Sequence, residues 1–77
     1  ALLFQGEYAD AVAAFAGCLD LQPDHLGARN GLGATLTELG RLDAAEEQFN
    51  EALAIDPRDG AARDGLAEVE RRRAAGR

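Results

Sequence analysis

The chain has 77 residues, a formal net charge of −6 and one cysteine. It is long enough for one small domain with a modest core, and an internal disulfide is excluded. No apolar run reaches membrane-spanning length and no signal peptide is visible. Residues 1–57 carry ten acids against two arginines, whereas residues 58–77 carry six arginines against four acids. An acidic body of this kind argues against nucleic acid as a partner. All eight basic residues are arginine, and with the Ala and Gly bias this points to a GC-rich, bacterial coding sequence. The cytoplasm is the preferred compartment and the periplasm the alternative.

In chain order, residues 1–5 read as the end of a helix stopped by Gly6, since glycine suits the left-handed residue that closes helices. A helix follows from Glu7 to Leu21, with Tyr8, Ala11, Phe15, Cys18 and Leu19 on one face. Pro23 and Asp24 break it. The next helix runs from His25 to Leu39, with Ala28, Leu32, Leu36 and Leu39 along one stripe, and stops at Gly40. A third spans Leu42–Ile55, with Ala45, Phe49, Ala52 and Leu53 facing inward and Asp43, Glu46 and Glu47 near its positive end. Pro57 ends it. Asp59 then caps a fourth helix, Gly60–Ala75, apolar only at Ala62, Leu66 and Val69 before Arg71, Arg72 and Arg73 take over. No segment reads as a strand, so the fold class is all-α.

These helices repeat. Gly6, Ala11, Phe15, Leu19 and Pro23 return 34 residues later as Gly40, Ala45, Phe49, Leu53 and Pro57. At the same offset Ala28, Arg29, Gly31 and Leu32 return as Ala62, Arg63, Gly65 and Leu66. An Ala- and Gly-rich chain matches itself somewhat at any offset, so the weight falls on which positions match. They are the ones a repeating pair of helices needs.

Leu32-Gly33, then Ala45 and Phe49, then Asp56-Pro57, with Gly40 at the turn, resemble the tetratricopeptide repeat. Ala11, Phe15 and Pro23 supply the second half of an earlier unit, and Leu66-Ala67 the first half of a later one. The resemblance implies antiparallel helix-turn-helix repeats in a short right-handed α-solenoid. It divides a single domain, 1–77, into a partial repeat at 1–25, a complete one at 26–59 and a partial repeat or capping helix at 60–77. The chain opens partway through a repeat, which reads as a piece of a longer protein. The pattern departs where the family's aromatics give way to Arg29 and Arg63, and to Leu36 and Glu70. Arginine can lay its stem on apolar surface while its head reaches water.

No constellation for catalysis stands out. His25, the lone histidine, lies in a turn and suits a capping role; Cys18 matches Ala52 and reads as a buried, inert thiol. One Cys and one His are too few nitrogen or sulfur ligands for a metal centre, and no cofactor is implied. Gly31 and Gly33 sit within a helix, unlike a phosphate loop. Glu46, Glu47 and Glu51 read as a solvated face.

The resemblance implies an interaction module that binds a protein or peptide in a concave groove lined by first helices. The matching positions are Gly27, Asn30, Gly31, Ala34, Thr37 and Glu38, continued by Ala61, Asp64, Gly65 and Glu68. Their small side chains suit close approach of a partner backbone, or packing against the adjoining repeat. Family members that hold chaperone C-termini use basic residues from the first helices. Gly27, Gly31, Ala34, Ala61 and Gly65 offer none, so a carboxylate clamp is not expected. The alternative function is structural: repeats stacking between copies into a homo-oligomer, with Leu2, Leu3 and Phe4 exposed on an open half-repeat. Arg71–Arg73 read as a solvated helix end rather than an RNA contact.

Overall fold

The computed structural model describes residues 2–76, with side chains from Gly6 onward. Four helices, α1 (Leu2–Leu21), α2 (Leu26–Glu38), α3 (Leu42–Ile55) and α4 (Gly60–Ala75), follow one another through short turns, and no strand occurs among the described residues. The last three have the limits that periodicity and capping residues indicate, to within a residue.

Each boundary has a local cause. His25 caps α2 with its ring, Nδ1 accepting from the Ala28 amide at 3.0 Å. Asp59 does the same for α4, Oδ1 accepting from the Ala61 amide at 3.1 Å. Between α2 and α3 the chain reverses at Gly40, the only described residue with positive φ (80°). The Gly40 amide donates to Thr37 O and the Arg41 amide to Leu36 O, so the last carbonyls of α2 are satisfied in a Schellman turn. The two proline turns are copies: His25 N donates to Gln22 O as Asp59 N does to Asp56 O. Arg29 and Arg63 then each donate to the proline carbonyl six residues back, Pro23 and Pro57. The arginines that replace the family's aromatics therefore tie their helices to the preceding turn.

At Gly6 the expectation fails: α1 runs unbroken through it. A glycine inside a helix costs only about 1 kcal/mol relative to alanine. The side chains of Leu2, Leu3 and Phe4 lie outside the described residues.

α2 packs against α1, α3 and α4, and α3 also packs against α4. Polar contacts fix the directions. Near its start α2 meets the start of α4 (Asn30 to Asp59), and near its end the end of α4 (Glu38 to Arg72), so the two run parallel. The end of α4 meets the start of α3 (Arg73 to Asp43), so those two are antiparallel. The core lies where α2, α3 and α4 converge: Leu32, Leu36, Ala45, Phe49, Ala52, Ala62 and Val69 are buried, with Val12, Phe15, Leu19, Leu42, Leu53 and Leu66 packed around them.

Candidate functional site

The exposed stripe of α2 is narrow. Only Gly27, Ala34 and Glu38 are open, and Asn30 and Gly31 are half-buried between them; Ala28, Leu32, Gly33, Thr35, Leu36 and Thr37 are buried. α4 runs alongside and continues the surface with exposed Ala61 and Asp64 and half-buried Gly65 and Glu68. Nine of the ten predicted groove residues are thus exposed or half-buried. Thr37 is the exception: it is 3% exposed and its hydroxyl donates to Gly33 O at 2.8 Å, so its side chain is not offered to a partner.

Two of the glycines are spent on internal packing. A methyl group on Gly31 would lie 2.5 Å from the Phe15 ring, and one on Gly65 would meet the Phe49 ring closer still. Gly33 holds the opposite side of Phe49, where a methyl would lie 2.7 Å away. The absent side chains let phenylalanine rings slide between helices.

Asn30 has a job that its spacing did not reveal. Its Nδ2 donates to Asp59 Oδ2 at 2.6 Å, bracing the residue that caps α4. Asn30 Oδ1 is buried without a protein partner. Arg29, one residue earlier, donates from Nη1 to Gln48 Oε1 at 2.9 Å and joins α2 to α3.

At the far end of the stripe, the arginine run is not a simply solvated terminus. Arg72 donates to Glu38 and Glu68, both at 2.8 Å, and to Thr37 O. Arg73 pairs with Asp43 at 2.6 Å and Glu46 at 3.0 Å, and Arg71 with Glu68 at 2.6 Å. Hydrogen bonds from Arg72, then Arg71, hold the Glu68 carboxyl below its usual range. Glu68 in turn raises the Arg72 guanidinium, and Glu46 that of Arg73. Glu46 is therefore half-buried against α4 and not part of a solvated face, whereas Glu47 and Glu51 are exposed. Packing of α4 along α2 and against α3 brings these groups together across 27 to 34 residues, which spacing along one helix cannot show.

Cys18 is half-buried, less covered than its counterpart Ala52, which is fully buried in the core with α2 and α4. Among the described residues no three His, Cys, Asp or Glu side chains group as a metal site requires. None of the helices is long and apolar enough to cross a membrane.

Stacked helical pairs with a 34-residue period, a glycine turn within the pair and a proline turn between pairs define a helical-hairpin repeat protein. The tetratricopeptide repeat model matches residues 2–69, and the chain belongs to that family. It is 35% identical over 65 residues to the heat shock protein STI1 of Saccharomyces cerevisiae, covering 84% of this chain and 11% of that protein. To the heat shock protein sti1 homolog of Schizosaccharomyces pombe it is 38% identical over 64 residues, covering 83% of this chain and again 11% of the relative. The chain thus spans about a ninth of the length of the relatives it matches. A bacterial source rests on composition alone, and both these relatives are yeast proteins. Family membership makes the chain a protein–protein interaction module.

Proposed function

We propose that this non-catalytic module binds a peptide or helix along the face formed by α2 and α4. The contact residues are Gly27, Asn30, Ala34 and Glu38 on α2 and Ala61, Asp64 and Glu68 on α4, with Gly31 and Gly65 reserved for the phenylalanine rings beneath. The observation that carries this reading is the single open stripe of α2, every other side of which is packed. Small residues there admit a partner backbone, and the arginine at the end of the stripe, Arg72, is already taken up by Glu38 and Glu68. Arg72 and Arg73 are engaged by five carboxylates, which supports a protein partner over nucleic acid.

Peptides selected from a displayed library on the native chain provide the test. Ala34→Leu combined with Ala61→Leu fills the stripe while leaving the Asn30–Asp59 brace in place. The double variant is expected to lose peptide binding with unchanged helicity; retained binding would place the contact elsewhere. Self-association through repeat stacking is the competing reading. Light scattering that stays at the monomer mass of 8.1 kDa across concentration counts against it.

A further inference from the structure

Between α1 and α2 the surface sinks into a depression of about 180 Å³, walled by Ala9 and Val12 of α1 and Leu36 and Leu39 of α2, with Arg41 completing its lining. The same place one repeat later is filled by a side chain. There Arg73 stands for Leu39, and its guanidinium crosses from α4 to Asp43 and Glu46 of α3, the counterparts of Ala9 and Val12. A missing neighbour does not account for the opening. In the later repeat α2 flanks α3, yet the Asp43 side chain is 100% exposed and that of Glu70, the counterpart of Leu36, 65%. The place therefore lies on an edge of the stack that a preceding first helix leaves open. Arg41 adds a charge to it. This arginine is exposed, stands at the N-cap of α3 without a side-chain capping bond, and among the described residues has no carboxylate at ion-pair distance. By contrast, Arg29 and Arg63 hold proline carbonyls, and Arg71, Arg72 and Arg73 hold carboxylates.

We propose that this depression docks an extended partner peptide through one leucine-sized apolar side chain, with an acidic residue two positions along that pairs with Arg41. The apolar walls and the volume set the first requirement: an apolar cavity of about 150 Å³ holds a benzene molecule, so this one takes a single branched or aromatic side chain. The unpaired guanidinium sets the second, because its planar fork matches a carboxylate. Asp43, two residues away, does not compete, since Arg73 already holds it. In an extended chain residues i and i+2 share a face, so both groups reach the site from one segment. A second copy fits less well. Its most exposed large apolar side chain, Leu21 at 85%, follows Asp20 on α1, and successive helix residues point about 100° apart and cannot enter one site together. The depression is separate from the stripe on α2 and α4, so the inference stands independently of that reading.

The probe is the capped tripeptide acetyl-leucyl-glycyl-aspartyl amide, titrated into the 77-residue chain and followed by amide chemical shifts. Saturable shifts are expected on Val12, Leu36, Leu39 and Arg41. A seryl residue in place of the leucyl abolishes them, and an asparaginyl in place of the aspartyl weakens binding about threefold, the size of one exposed ion pair. Arg41→Gln weakens the aspartyl peptide by the same factor and leaves the asparaginyl peptide unchanged, which isolates the pair. Ala9→Leu, at an exposed helix position, fills the depression and removes binding while circular dichroism stays unchanged. Equal shifts from the leucyl and seryl peptides, an Arg41→Gln effect that is the same for both acid and amide, or no saturation at all overturns the proposal. Shifts of these four amides that appear on raising protein concentration alone assign the depression to a second copy and overturn it too.

Discussion

Glycines in this chain divide by what stands opposite their Cα, and stability should divide with them. At Gly65 an added methyl meets the Phe49 ring, which is 2% exposed and also closely approached by Gly33. Overpacking of that kind costs about 1–3 kcal/mol, which outweighs the gain of up to about 1 kcal/mol in helix propensity. Gly65→Ala is therefore expected to lower the denaturation midpoint. Gly17, also inside a helix, has open space around its Cα. Gly17→Ala is expected to stabilise by up to about 1 kcal/mol, and the opposite signs can be read from paired urea titrations. Asn30 offers a second contrast. Asn30→Asp sets a carboxylate at hydrogen-bond distance from Asp59 and replaces an attraction by a repulsion. We expect a loss of about 1–2 kcal/mol at neutral pH. The repulsion raises the folded-state pKa of the pair, so the loss shrinks as pH falls through the carboxylate range.

Among the elements, α4 is the one whose second half has little apolar anchorage, and ion pairs take over there. Arg72 grips the end of α2 through Glu38 and Thr37 O, and Arg73 grips the start of α3 through Asp43 and Glu46, so the pair straddles the Gly40 turn. The repeat makes the substitution visible. Ala9, Val12, Leu36 and Leu39 line a shallow apolar depression between α1 and α2. Their counterparts between α3 and α4 are Asp43, Glu46, Glu70 and Arg73, a closed ionic cluster. Exposed pairs of this kind are screened by salt. Amide exchange in Arg71–Ala75 should accelerate between low salt and 1 M salt while the α2–α3 core stays protected. The Glu68 pKa is depressed in the fold, so its contribution is present above the unfolded pKa and lost as pH falls below it. Fraying of α4 should accordingly appear on acidification. The periodicity of α2, α3 and α4 was legible because turn signals bracket each helix: caps at His25 and Asp59, the Gly40 turn, and Pro57. α1 was misread because Gly6 has the residue type of a turn but, unlike its counterpart Gly40, keeps helical backbone angles. The cluster around Arg72 and Arg73 was invisible because its partners lie on other helices, about 30 residues away in sequence.

For the whole molecule, the same interhelical geometry that consumes Gly31 and Gly65 leaves Gly27, Ala34 and Glu38 of α2 and Ala61 and Asp64 of α4 exposed. Family resemblance pointed to ten positions there, and the fold withdraws Thr37 and gives Asn30 a structural duty alongside the proposed one. What remains is small and acidic, a surface suited to a partner's backbone more than to an anionic group. Amide chemical-shift mapping with a library-selected peptide tests that surface directly. The account predicts that the largest shifts fall on Gly27, Ala34, Glu38, Ala61 and Asp64, with the outward residues of α3, Glu47 and Glu51, unmoved. Shifts centred on α3, with the α2–α4 stripe silent, would contradict it.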